Sequence, residues 1–248
     1  MSNKKYWDKD ETPLKFSEGT GKLKGVGSLN VSKPLACIQR MMDLESVCSK
    51  CYVDRFMAVY KTAELNYMCN AKILTTRELE DNEIPFLYTD ILRINSFGEL
   101  HNVMHLWNIY KIALKNPQVL FVIWTKETEI VWELRDKPEN VRLIYSSYKL
   151  NKEEECPPMF WGTFTVFNAD YAFENKVRVN CNGKCRICMI CYDKNKHTSG
   201  NKVREIVKNE QGKYHSMLSR EMALFGMGDI IFVIILLTIA YLYITLQS

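Results

Sequence analysis

Seven of the nine cysteines fall into two groups: Cys37, Cys48 and Cys51 early in the chain, and Cys181, Cys185, Cys188 and Cys191 in the run CNGKCRICMICY. Clustered thiolates in a reducing compartment bind zinc or iron–sulfur centres more often than they pair as disulfides. The number of ligands decides the chemistry. Three thiolates leave one iron of a four-iron, four-sulfur cluster open to a small molecule, whereas four close the site around a structural zinc or an auxiliary cluster. The first group supplies three and the second four. C-x2-C-x2-C from Cys185 to Cys191 is closer to ferredoxin spacing than to separated zinc knuckles, so iron is expected there, with zinc as the alternative. A rival zinc arrangement joins Cys48 and Cys51 to Cys188 and Cys191 as a single four-thiolate site. Cys69 and Cys156 stand alone and read as buried or incidental thiols. His197 reads as a polar loop residue, and His101 and His105, four apart without an E-x-x-H context, as helix surface.

Such ligands need a scaffold, and 248 residues with 47% apolar and 25% charged content can bury a real core. The net charge of +4 is small for this length, and no basic stretch is interleaved with aromatics, so nucleic acid is not an expected partner. The N-terminus, MSNKKYWDKDETPLKF, lacks the apolar core of a signal peptide, so the body of the protein is expected in the cytoplasm.

The pattern along the chain predicts strands alternating with helices. Residues 1–25 form a polar lead-in. LNVSKPLAC is strand-like, and Phe56, Val59, Tyr60 and Ala63 have helical spacing directly after Cys51. TDILRINSFGEL reads as a strand with a glycine turn, HNVMHLWNIYKIALKNP as an amphipathic helix stopped at Pro117, and residues 119–126 as a strand buried on both faces. TEIVWELRDKP predicts a short helix, and VRLIYSSY and TFTVFNAD two more strands. The fold class expected is α/β: a partial (β/α) TIM-like barrel with parallel strands over residues 26–180, since eight units need about 250 residues. A cysteine-rich metal-binding segment (181–197), a charged helical linker (198–228) and an apolar helix (229–248) follow. Ile230 to Leu246 carries no charge and spans about 25 Å as a helix, against a hydrocarbon core of about 30 Å. Residues 229–246 are therefore a candidate membrane anchor.

In a parallel barrel, chemistry collects at the carboxyl ends of strands. That rule selects Cys37, Cys48 and Cys51, then Ser96 to Glu99, Thr125 and Lys126, Ser146 and Ser147, and Asn168 to Asp170; for Lys126 a solvated lysine is the plainer expectation. On the C-x2-C-Y of Cys48, Cys51 and Tyr52, on LRINSFGEL, on FVIWTK and on the terminal cysteine run, the chain resembles the radical S-adenosylmethionine superfamily and, more narrowly, the cysteine-rich phage gene product 88 family. The resemblance implies a four-iron, four-sulfur cluster on Cys37, Cys48 and Cys51. It also implies S-adenosylmethionine held near Tyr52, Asn95, Ser96, Gly98 and Glu99, with Glu99 receiving the methionine ammonium. Phe97 replaces the first glycine of the superfamily's Gly-Gly-Glu turn, and ten residues separate Cys37 from Cys48 where the common pattern has three.

Cys181, Cys185 and Cys188 also have the superfamily's C-x3-C-x2-C spacing. Too little chain follows them to build a barrel, so this group is expected to be accessory. The function implied is reductive cleavage of S-adenosylmethionine to modify an unknown substrate. The alternative is a non-enzymatic zinc-binding phage protein, or a barrel that has lost its chemistry, acting through a protein partner and reaching a membrane through the tail.

Overall fold

The computed structural model describes residues 12–193 and 202–221. One sheet holds seven strands, β1 (Phe16–Glu18), β2 (Gly27–Leu29), β3 (Ile91–Ile94), β4 (Leu120–Thr125), β5 (Val141–Ser146), β6 (Gly162–Phe167) and β7 (Lys202–Ile206), in sequential order from edge to edge. β1 pairs antiparallel with β2, and β2 through β6 are parallel. The intervening helices are α1 (Leu35–Met41), α2 (Val53–Val59), α3 (Lys61–Thr76), α4 (Val103–Lys115) and α5 (Thr128–Glu133), followed by α6 (Ala169–Glu174) and the single turn α7 (Cys185–Cys188).

A parallel sheet whose order never reverses takes its right-handed crossovers on the same side. The core follows that rule. Ala71 and Leu74 of α3, Leu106, Ile109 and Ile112 of α4 and Val131 of α5 pack with Leu29, Leu92, Ile94, Phe121, Ile123 and Leu143. Strand residues of the other parity, Ile91, Val122, Trp124 and Ile144, form a second cluster with Cys191, Tyr192 and Val203. Both faces of the central strands are thus covered, which is why β3 to β5 read as continuous apolar runs rather than alternating ones.

Buried asparagines tie the helices to the loops. Asn108 of α4 accepts from the Leu79 amide and donates to the Leu74 and Arg77 carbonyls. Asn116 accepts from Leu87 and donates to Pro85 and Ile112, and Asn70 bridges Lys15 and the Asn30 carbonyl. These amides satisfy backbone groups that would otherwise be buried without partners.

The described chain divides into two compact units, one running to Phe167 and including Val179 to Glu205, the other made of Asn168 to Arg178 and the chain from Ile206. In the second, residues 211–221 are helical, Glu210 accepts from the Ala169 amide, and Lys213 pairs with Asp170 at 2.6 Å.

Several expectations change. Within the predicted lead-in, Phe16 to Glu18 form an edge strand, because Phe16 is buried in the core beside Leu29. LNVSKPLAC is not one strand: β2 ends at Leu29, and Leu35 opens a helix behind Pro34, placing Cys37 on α1. Part of the predicted charged linker is β7, whose Lys202 and Arg204 pair with Glu153 while Val203 and Ile206 are buried. Among the described residues no helix is long and apolar enough to cross a membrane; the candidate anchor at 229–246 lies outside them, as does His197. The sequential parallel sheet is established, and among the described residues its order runs open from β1 to β7.

Candidate functional site

Three strand ends and one irregular segment meet at the carboxyl edge of the sheet. Cys37 lies on α1, and Cys48 sits in a 3-10 turn, Val47–Lys50, whose first turn is capped by Ser46 accepting from the Cys48 amide at 3.1 Å. This segment is stitched to the chain after β5, where Val47 donates to the Tyr148 carbonyl and Leu150 donates to that of Glu45. Arg40 of α1 reaches Glu127, after β4, at 2.8 Å. The cysteine segment is thereby fixed to the β4 and β5 loops.

Glu99, after β3, is only 3% exposed, and its carboxylate accepts from the Leu100 amide at 2.8 Å and the Lys126 amide at 3.0 Å. Burial pushes its pKa up, opposed by the nearby Lys126 charge. Burial likewise pushes the Cys37 thiol up to about 12, with Glu99 and Cys48 adding to the rise and Lys126 opposing it. Lys126 donates from Nζ to Ser146 Oγ at 3.0 Å, so it is engaged at the rim and not simply solvated. Cys37, Cys48, Glu99, Lys126 and Ser146 therefore form one neighbourhood.

The turn after β3 is shaped by two unusual backbones. Gly98 has φ +87, and a Cβ there would lie 2.2 Å from the Val31 carbonyl oxygen, so glycine is demanded by the backbone itself. Asn95 has φ 55 and is 5% exposed, yet neither its amide nitrogen nor its oxygen has a hydrogen-bond partner. Ser96 pairs with Ser28 at 3.2 Å. Phe97, where the resemblance has glycine, is the hub of an aromatic cluster with Phe56, Tyr52 and Tyr67 at centroid distances of 4.4, 5.6 and 5.7 Å. That packing role accounts for the departure.

The second cysteine group lies against the sheet face opposite α3 and α4. Cys181, Cys185 and Cys191 join the cluster of Val122, Trp124 and Tyr192; Cys188 is not among the side chains packed there. Burial pushes the Cys181 thiol up to about 11 and raises that of Cys191 as well. Two cations stand beside them. Lys22 is held by both oxygens of Glu205 at 2.7 and 2.8 Å, and the Arg93 guanidinium lies 3.2 Å from the centre of the Trp124 ring.

All nine cysteines are free thiols, and Cys69 and Cys156 are exposed. Among the described residues no three Cys, His, Asp or Glu side chains stand assembled as a metal-binding set. His105 departs from its expected place on the helix surface, for it is fully buried, with Nδ1 accepting from the His101 amide at 3.4 Å. His101 bonds the Ser32 carbonyl at 2.9 Å. Thr125 accepts from the Glu127 amide, Ser147 donates to Glu154 at 2.7 Å, and Asp170 serves the Lys213 pair, so these three strand-end candidates have structural partners. Sequence reasoning missed Lys22, Arg93 and Glu205; the available signal was Arg93, a lone charge inside the apolar strand ILRI.

Fold and site together define an α/β protein of sequential parallel strands, with free thiols at the carboxyl rim and a second set under one sheet face. A family model described as Gene product 88 matches residues 37–176, over half of the chain, and the chain belongs to the gene product 88 family. The match takes in the rim residues and stops short of the C-terminal cysteines. No curated protein and no solved structure matches the chain.

Proposed function

We propose that the carboxyl rim is the reactive end of an iron–sulfur protein with a partial-barrel scaffold, and that Cys37, Cys48 and Cys51 are the ligands of its centre. What supports the reading is the chemistry and address of the donors: three free thiols on one short segment pinned at the ends of β4 and β5, which are not assembled as a ligand set and would have to close on the cluster as it binds. A cluster held by three thiolates supplies an electron and an open iron able to bind the amino and carboxylate groups of S-adenosylmethionine. The chain's own residues receive the ligand. Asn95 carries the reading, because a buried amide with an unused donor and an unused acceptor is costly unless a ligand completes it. Ser96 follows it in the turn, Tyr52 packs edge-on against Phe97, and Glu99 ties the turn to the Lys126 amide.

Protein purified without oxygen is expected to be brown, to contain iron and sulfide, and to lose that centre in the Cys48→Ala/Cys51→Ala variant. Reduction in the presence of S-adenosylmethionine is expected to release 5′-deoxyadenosine, and Asn95→Ala to weaken binding of the intact cofactor by roughly tenfold or more. Colourless protein with stoichiometric zinc sinks the proposal.

A further inference from the structure

We propose that Cys48 and Cys51 are a preformed redox pair, closing a reversible disulfide by exchange with a small disulfide of the glutathione class. The geometry that carries this is the 3-10 turn Val47–Lys50. Such a turn takes three residues and rises about 2.0 Å per residue, so positions i and i+3 stand one above the other, about 6 Å apart, with their side chains eclipsed. Cys48 and Cys51 are such a pair, and the Cys51 amide donates to the Cys48 carbonyl at 3.0 Å, closing the turn between them. Cys51 departs from the turn only in ψ (φ -63, ψ 123), which keeps its Cβ where a continuing turn would put it. Bridged cysteines have Cα atoms about 4.4–6.8 Å apart. The backbone already stands within that range.

Neighbouring groups hold the turn in this shape. Ser46 is buried and caps it by accepting from the Cys48 amide at 3.1 Å, and Ser49, between the two thiols, turns its hydroxyl back to the Ser46 carbonyl at 2.8 Å. Ser46 pairs with Lys149, and Val47 donates to the Tyr148 carbonyl at 2.8 Å, which anchors the segment to the chain after β5. Both cysteines are half-buried, within reach of a small reagent. Cys185 and Cys188 have the same spacing but lie on α7, where three residues stop about 60° short of a full turn. In the exchange, one thiolate attacks a sulfur of the small disulfide and expels a thiolate; the other cysteine then attacks the mixed disulfide at the protein sulfur and expels the second. The two protein thiols give up two electrons and two protons as their S–S bond forms, and the reagent, its own S–S bond broken, takes them up as two thiols. The inference goes beyond the cluster reading and does not depend on it. Where both hold, oxidation withdraws two of the three rim ligands.

The test uses the full chain, reduced, stripped of metal with a chelator and equilibrated without oxygen in mixtures of reduced and oxidised glutathione, then alkylated and digested with trypsin. Lys50 lies between the two cysteines, so the disulfide is read by mass as peptide 41–50 joined to peptide 51–55. That joined pair is expected to be the first disulfide to form and to open again when reduced glutathione is restored. Its equilibrium constant against glutathione is expected to be roughly tenfold or more larger in the folded chain than in the same chain unfolded in guanidinium chloride. Cys51→Ser is expected to end instead with glutathione held on Cys48. Glutathione adducts on both cysteines of the wild type overturn the inference, as does a first disulfide between any other two cysteines. So does an equilibrium constant no larger folded than unfolded, since the turn then contributes nothing. Because the chain is metal-free throughout, these outcomes are separate from the iron content of anaerobically prepared protein, on which the cluster reading stands or falls.

Discussion

His105 shows how one buried group sets the acid limit of the fold. It is fully enclosed, and burial, aided by the charge of His101, lowers its pKa from the usual 6.5 to about 3. The folded state therefore refuses a proton that the unfolded state accepts. Stability is complete above about 6.5 and declines as pH falls from there towards 3, with a slope of at most about 1.4 kcal/mol per pH unit from this residue. Denaturant titrations at pH 7.5, 5.5 and 4.5 are expected to show a flatter dependence for His105→Leu than for wild type. Equal slopes would remove His105 from the acid response. The pair spacing of His101 and His105 was visible beforehand, but the depth of His105 was not, because the stretch HNVMHLW mixes polar and apolar residues and the orientation of α4 is set by packing against α3.

Helices and strands are held in register by side chains that periodicity ignores. Asn108 completes three backbone groups at the turn between α3 and the following loop. Asn108→Leu keeps the branched shape and strands all three, so a loss of about 2–4 kcal/mol is expected in equilibrium unfolding, against under about 1 kcal/mol for the exposed Lys72→Ala on α3. A similar loss for both would mean that helix propensity, and not the bridging amide, matters. The long elements were readable because their signal is hydrophobic: β3, β4 and β5 are buried on both faces, and α4 is strongly amphipathic. β1 and β2, with three residues each, are too short to show a period, and β7 carries alternating charges that mimic a surface helix. The site divides in the same way. Two cysteine groups are evident from spacing, whereas the packing of Cys191 with Val122 and Trp124 depends on contacts between residues far apart in the chain, which no local pattern records.

Across the molecule the two faces of the sheet differ in how they are covered. One is closed by helices from the chain between the strands, the other by a segment from beyond β6. Tyr192 anchors that segment: its ring lies 5.8 Å from Trp124, and its carbonyl accepts from Arg142. Tyr192→Ala is expected to make residues 181–193 sensitive to limited proteolysis while the remaining core still unfolds in a single transition. Proteolysis no faster than in wild type would show that the cysteine segment is held by other contacts.

The sequential strand order also fixes a timetable. A ribosome delivers β2 through β6 and their helices before the cysteine-rich segment exists, and domains generally begin to fold as the chain emerges. The helical face can be complete while the Arg93 face still lies open to water, and the segment that closes it carries Cys181, Cys185 and Cys191 with it.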